Sequence, residues 1–333
     1  EYDMEKIDFV VTWVDGNDSA WREEKARYSG VSGDQKKNRF RDWDILQYWF
    51  RGIEKFAAWV NCVYFVTWGH IPGWLNTDHP KLKIIRHEEF IPKEYLPTFN
   101  SHTIEFNLHR IQDLSEQFVY FNDDTLLLSA VRSTDFFVHG LPCDMAVLYP
   151  LHAGDGDGSF EHIILNNSYY FNKNFDFKQC IRENFIGWFN LRYGKNLLKT
   201  FFMLPFPEFS GFMTLHQPQS FLKNSFKTIW DREHRIVHET CQHKFRTEAD
   251  VSPYLIRYWQ LANGQFSASN LLKRGIYCTL ENQAQWEEVI TKQKFKMICL
   301  NDASMELDYE LTKKKLKGCF QRILPDRSSY ERK

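Results

Sequence analysis

The stretch Ile7-Asp8-Phe9-Val10-Val11-Thr12-Trp13-Val14-Asp15-Gly16 decides the fold class. From Ile7 to Val14 it is a short β-branched and aromatic run, the pattern of a buried strand, and it ends on a turn-forming Asp-Gly pair. Similar runs recur at residues 62–68, 82–86 and 118–121, the last leading directly into Asn122-Asp123-Asp124. Between them the periodicity becomes helical. Asp18 or Ser19 can cap a helix over 19–28, and Asp42 one whose apolar stripe is Leu46, Trp49, Phe50, Ile53 and Phe56. Ser101 can cap a third, carrying Ile104, Leu108, Ile111 and Leu114 inward. Strands alternating with helices predict an α/β fold with an open, largely parallel sheet flanked by helices. In such sheets ligands sit beyond the carboxyl ends of the strands, and Asp15, Asp123 and Asp124 fall there.

After about Pro150 the pattern loosens. Residues 154–158 (Gly-Asp-Gly-Asp-Gly) read as a flexible loop lacking the remaining ligands of an EF-hand. Residues 150–205 read as a mainly helical, aromatic-rich insertion. Helices are expected at 254–261 and 285–291, a late strand at 294–300 feeding Asn301-Asp302, and a basic helix from Lys313. The expected organisation is a single domain over 1–320 with a polar tail at 321–333, without internal repeats.

The chain has 333 residues, 43% hydrophobic and 26% charged, with a net charge of −1. It is long enough to bury a core without disulfide staples and shows no basic field that would advertise nucleic acid. No apolar run reaches the roughly 18 residues of a membrane span, and no signal peptide is read. The seven cysteines are scattered without a Cys-x-x-Cys pair, so buried free thiols in a reducing cytoplasm are expected. Aromatics reach 17% and suit either a packed core or stacking on sugars and bases. A glycosylation sequon at Asn17 lies beside the ligand-loop candidate, where a glycan would obstruct binding; a second is at Asn166. A compartment without N-glycosylation is favoured.

Several residues could carry chemistry. Asn122-Asp123-Asp124 after an apolar strand can hold a hard cation against a diphosphate, or simply form a turn. Asn301-Asp302 repeats the arrangement and could complete a metal site or cap a helix. Thr12-Trp13-Val14-Asp15-Gly16 offers backbone, an aromatic and a carboxylate to a nucleotide, although Asp-Gly also favours a plain tight turn. His102, Glu105 and His109 fall on one helix face, fitting a polar cleft lining better than zinc. Residues 231–246 are dense in His and Arg, either a solvated surface or a phosphate clamp; Arg246 stands out because Arg grips phosphate bidentately.

Together these segments resemble the Stealth family, which includes bacterial capsular polysaccharide phosphotransferases and the catalytic subunit of the lysosomal-enzyme GlcNAc-1-phosphotransferase. Four blocks occur in the family order. The first is Ile7 to Gly16. The second runs from Arg39-Phe40-Arg41-Asp42 through Pro97-Thr98-Phe99-Asn100-Ser101 and Leu108-His109-Arg110-Ile111 to Tyr120-Phe121-Asn122-Asp123-Asp124. The third is Leu215-His216-Gln217-Pro218 with Lys244-Phe245-Arg246-Thr247-Glu248-Ala249-Asp250, and the fourth Cys299-Leu300-Asn301-Asp302. Thr125 departs from the family, which usually has an apolar residue there.

The resemblance implies a Rossmann-like catalytic core and transfer of hexosamine-1-phosphate from a UDP-sugar to a glycan hydroxyl, with release of UMP. It implies Mg²⁺ or Mn²⁺ on Asp123, Asp124 and Asp302, and catalytic roles for His216, Arg246 and Asp15. Thr12, Trp13, Val14, Asp15, Gly16, Arg39 and Asn122 would hold the nucleotide. His216 is preferred over Asp15 as general base because an imidazole titrates near neutrality. The setting implied is capsule synthesis in the bacterial cytoplasm, with the basic run at Lys313 to Lys317 offering peripheral contact with the inner face of the plasma membrane and a homo-oligomer left open. Two other readings remain: a metal-dependent glycosyltransferase releasing UDP, and a carbohydrate-binding module without turnover.

Overall fold

The computed structural model describes residues 6–34, 40–152, 159–302 and 307–332. Its first strands are β1 (Ile7–Trp13), β2 (Val63–Thr67), β3 (Leu82–Arg86), β4 (Gln117–Asn122), β5 (Thr125–Leu127), β6 (Phe137–Val138) and β7 (Leu141–Asp144). Later come β8 (Gln219–Leu222), β9 (Ser267–Ala268), β10 (Gly275–Thr279) and β11 (Met297–Asn301). The central five-stranded sheet has the order β3-β2-β1-β4-β8. Its first four strands are parallel, and β8 runs antiparallel to β4. This is the expected α/β class, with an antiparallel strand at one edge.

Alternation along β1 builds a core on each face of the sheet. Phe9, Val11 and Trp13 join Val63, Phe65, Val119 and Phe121 on one side, beneath the helices Leu46–Phe56, Gln283–Lys292 and Tyr309–Ile323. Val10 joins Tyr64, Val66, Phe118 and Tyr120 on the other. That side is covered by the helices Lys223–Arg232, His234–Gln242 and Tyr254–Ala262. The insertion is helical as expected, with helices at Ser159–Asn172, Phe177–Glu183, Phe185–Trp188 and Leu197–Met203. Its Phe171, Phe177, Trp188 and Tyr193 are buried in the same core as Val10. All seven cysteines are buried free thiols.

Local expectations needed correction at three places. Asp18 does cap its helix, its carboxylate accepting from Trp21 N at 2.8 Å. Asp42 does not: its Oδ1 accepts from Asp44 N, Asp44 is left-handed at φ 55°, and the helix begins only at Leu46. Ser101 is not the cap of the next helix either. Asn100 accepts from His102 N at 3.0 Å, and the helix ends at Phe106 before the chain tightens into a 3₁₀ turn over Leu108–Arg110. His109 therefore leaves the face carrying His102 and Glu105 and stacks on Phe226.

The final residues are docked against the core. Tyr330 is buried against Phe50, and Glu331 forms a buried, two-pronged pair with Arg51 at 2.8 and 2.9 Å. Removing one partner strands the other charge in a dry site, at a cost of about 3 kcal/mol. Glu331→Ala is therefore expected to lower the melting temperature by several degrees, as read by calorimetry; an unchanged melting point would show that the tail contributes nothing. The basic helix is also committed internally, since Lys313 and Lys317 both reach Asp44, at 3.7 and 2.6 Å. Among the described residues, no helix is long and apolar enough to cross a membrane.

Candidate active site

A cavity of about 520 Å³ opens at the carboxyl ends of β1 and β4. These neighbours lie where the sheet order reverses direction, the crevice in which open α/β sheets bind ligands. Its walls include Thr12, Trp13, Val14, Asn122, Asp123, Asp124, His216, Arg246 and Asp302. Residues drawn from five separate segments thus meet in one place. Arg39 and the 154–158 loop lie outside the described residues.

One wall is acidic because of how the chain leaves the central sheet. Asp123 and Asp124 form the turn between β4 and β5, and β5 belongs to a different sheet, pairing antiparallel with β11. Asp124 O accepts from Leu300 N at 2.9 Å, so the turn is tied to the strand that delivers Asn301 and Asp302. Asp123 is open to the cavity, yet enclosing protein deprives its charge of bulk water. Burial, with Asp124 and Asp42 adding repulsion, raises its pKa to about 8. Burial also raises Asp124, against the opposing pull of nearby His216 and hydrogen bonds from Thr125 and Cys299. Thr125 Oγ1 donates to Asp124 Oδ1 at 3.0 Å, which gives the residue that departs from the family a role at the site. Asp302 faces Arg41 at 3.4 Å.

Arg246 and His216 also line the cavity. Arg246 sits on a loop fastened by buried Asp250, which accepts from Asn100 Nδ2 at 2.9 Å, Thr247 N at 3.0 Å and Thr247 Oγ1 at 2.8 Å. Phe245 stacks on Phe99 with ring centres 5.3 Å apart. The loop places Arg246 Nη2 2.5 Å from Ser101 Oγ and close enough to Glu105 to attract its charge. Glu105 lies partly open to the cavity, and burial raises its pKa to about 7 against the pull of Arg246, Ser101 and Tyr120. Tyr120 extends the network, its hydroxyl donating to Asn122 Oδ1 at 2.8 Å and lying 3.0 Å from Thr12 Oγ1. His216 lies within an aromatic cup, 5.3 Å from the Tyr277 ring, 5.9 Å from Phe160 and 6.5 Å from Tyr254.

Asp15 and Gly16 follow the wall residue Val14 but do not themselves line the cavity. Asp15 Oδ1 accepts from Asn17 N at 2.9 Å, and Asp15 N donates to His70 Nε2 at 2.8 Å. His70 is thus a neutral acceptor, consistent with burial lowering its pKa. At Gly16 the close neighbour is protein: a Cβ there would stand 1.9 Å from Phe40 O. Gly16 therefore lets the β1 loop seat against the segment carrying Arg41 and Asp42, both of which line the cavity. Arg41, Asp42, Ser101 and Tyr120 also line the wall; the sequence reading quoted them within the family-like blocks, Asp42 and Ser101 also as helix caps, but gave none a role at the site. Asn100 and Asp250 within the quoted blocks were the available signal for Ser101 and Arg246.

The adjacent, desolvated carboxylates Asp123 and Asp124 suit a hard divalent cation, because a site that raises proton affinity this way is short of positive charge. Among the described residues, no three His, Cys, Asp or Glu side chains already form a metal cluster. A pair of carboxylates is nevertheless the usual protein share when phosphate oxygens complete the coordination of Mg²⁺.

The carboxylates, Arg246 and His216 that line this α/β crevice suit a phosphorylated substrate, and relatives matched over nearly the whole chain make it a transferase. The chain belongs to the Stealth family: conserved region 1 of Stealth proteins matches residues 5–32, and conserved region 2 matches residues 39–143. It is 39% identical over 334 residues to the capsular polysaccharide phosphotransferase WcwK of Streptococcus pneumoniae, covering 99% of each chain. It is 36% identical to the receptor polysaccharide phosphotransferase WefC of Streptococcus gordonii, over 98% of this chain and 99% of that one. Exopolysaccharide phosphotransferase cps2G of Lactiplantibacillus plantarum is 38% identical, over 98% and 96%. Among solved structures, the glycosyltransferase GlyE of Streptococcus pneumoniae aligns with 96% of this chain and 62% of its own, at a TM-score of 0.40 and 8% identity.

Proposed function

We propose that this enzyme transfers hexosamine-1-phosphate from a UDP-sugar to a hydroxyl of a growing polysaccharide, forming a phosphodiester and releasing UMP. The observation that carries the reading is the meeting of Asp123-Asp124, His216, Arg246 and Asp302 around one cavity. Relatives matched over nearly the whole chain are named polysaccharide phosphotransferases, which supports the reaction class.

Thr12, Trp13 and Val14 line the end of the cavity next to β1, where they would hold the nucleotide. Asp123 and Asp124, with Asp302 nearby, would hold Mg²⁺ or Mn²⁺. When bound, that cation supplies charge neutralisation for the diphosphate. The acceptor oxygen attacks the β-phosphorus, a P–O bond forms there, and the bond to the UMP oxygen breaks. His216 takes the acceptor proton; its aromatic cup offers flat faces on which the acceptor sugar can stack, and Asp124 stabilises the imidazolium that forms. Arg246, steadied by Ser101, meets the equatorial oxygens, where charge accumulates.

Arg246→Ala is expected to lower turnover on the order of 10²–10³-fold with an unchanged melting temperature. Near-full activity would remove Arg246 from the chemistry. The decisive assay separates UMP from UDP after incubation with UDP-N-acetylhexosamines, an acceptor oligosaccharide and Mg²⁺ or Mn²⁺. UMP release supports the proposal. UDP release would instead make the protein a glycosyltransferase. Donor binding without either product would leave a carbohydrate-binding module.

A further inference from the structure

The helical insertion exposes more large apolar side chains than any other part of the described chain. Leu191 is 88% exposed, Ile186 78% and Phe202 72%, with Phe185, Leu198 and Phe201 each above half. Phe185 stacks on Phe189 at 4.7 Å and Phe189 meets Phe201 at 4.8 Å, which joins the helices Phe185–Trp188 and Leu197–Met203; Ile186, Leu191, Leu198 and Phe202 lie in the same stretch of chain. Scattered exposed apolar residues are ordinary, whereas a contiguous group marks an interaction surface.

Charge identifies the partner. Residues 185–207 contain Arg192, Lys195 and Lys199 and no Asp or Glu. Arg192 and Lys195 are exposed, and Lys199 is half-buried, its ammonium over the Tyr149 ring. Large apolar side chains among basic ones, in short helices too brief to span, form the pattern that lies in the interfacial plane of an anionic bilayer. A second copy fits poorly, because a two-fold contact would set this basic surface against itself. The basic run of the last helix is a weaker candidate, since Lys313 and Lys317 already reach Asp44.

We propose that residues 185–206 seat the protein on an anionic lipid surface, with Leu191, Ile186 and Phe202 entering the headgroup boundary. The same insertion contributes Phe160 and Ile163 to the cavity wall, so docking would also set the orientation of the cavity relative to the bilayer.

The test is co-sedimentation of the intact protein with vesicles of phosphatidylglycerol mixed with phosphatidylcholine, or of phosphatidylcholine alone. Binding is expected to the anionic vesicles, weakened by salt and reduced about tenfold or more in Leu191→Ser/Phe202→Ser. Lys195→Glu should weaken it several-fold through charge alone. Both changes lie at exposed positions, and an unchanged melting temperature would verify that each variant is folded. Absence of binding to anionic vesicles, or equal binding by the double variant, would overturn the proposal. So would a dimer in sedimentation velocity that dissociates in the double variant while vesicles go unbound, which would assign the surface to a second copy.

Discussion

Asp124→Ala is expected to reduce UMP release by about 10³–10⁴-fold, the equivalent of losing several kcal/mol of stabilisation of transition-state charge. Three connections converge on this carboxylate. It lies beside Asp123 in the turn, it holds the hydroxyl of Thr125 at 3.0 Å, and it is the group that His216 pulls against burial. In the proposed mechanism its removal takes away half of the carboxylate pair that would hold the cation, together with the counter-charge for the imidazolium. The fold should not suffer, because burial already disfavours this charge. The measurement is UMP release across a Mg²⁺ or Mn²⁺ titration, with a melting curve alongside. Metal-dependent turnover within tenfold of the parent would exclude Asp124 as a cation ligand.

Glu105→Gln is expected to lower kcat/KM about 10²-fold at pH 8 and to flatten its rise with pH. The parent carboxyl, with its pKa raised to about 7, changes charge within the working range. In its ionised form it holds the networks of Arg246 and Tyr120 in register, so activity climbs as pH passes through 7. Stability moves in the opposite direction. The unfolded chain releases this proton near 4.5, whereas the folded chain keeps it until about pH 7. Over that interval the native state binds the extra proton, so stability falls as pH rises, and the penalty is complete above pH 7. The shift from 4.5 to about 7 amounts to on the order of 2–3 kcal/mol once cavity water is allowed for. Glu105→Gln should thus melt higher than the parent at pH 8 and match it near pH 4. A variant that is less stable at pH 8, with an unaltered pH profile, would make Glu105 an ordinary packing residue.

The parallel sheet was legible because β1, β2 and β4 are buried along nearly their whole length and so read as largely apolar runs, whereas β3 is partly exposed at the edge. The position of the site was legible for a related reason: Asn122, Asp123 and Asp124 directly follow the apolar run of β4. Pairings across long separations were not. Arg41 meets Asp302 and Gly16 accommodates Phe40 through tertiary packing, which no local pattern encodes. Glu105 was placed on a helix drawn too long; the actual helix stops at Phe106, so the shared face with His109 does not exist. The tail failed for a different reason. Its composition is polar, but Tyr330 and Glu331 find a matching site on Phe50 and Arg51, and composition does not report a partner.

The turn at Asp123-Asp124 joins two sheets, and its carbonyl hydrogen bond to Leu300 closes the corner. The acidic wall is therefore complete only when both sheets are in place. An opening that releases only residues 275–301 would leave the central sheet intact while scattering the acidic wall. Such an intermediate would keep most of its secondary structure yet be chemically silent. Amide exchange at Leu300 would then report the competent population more faithfully than any global probe of folding.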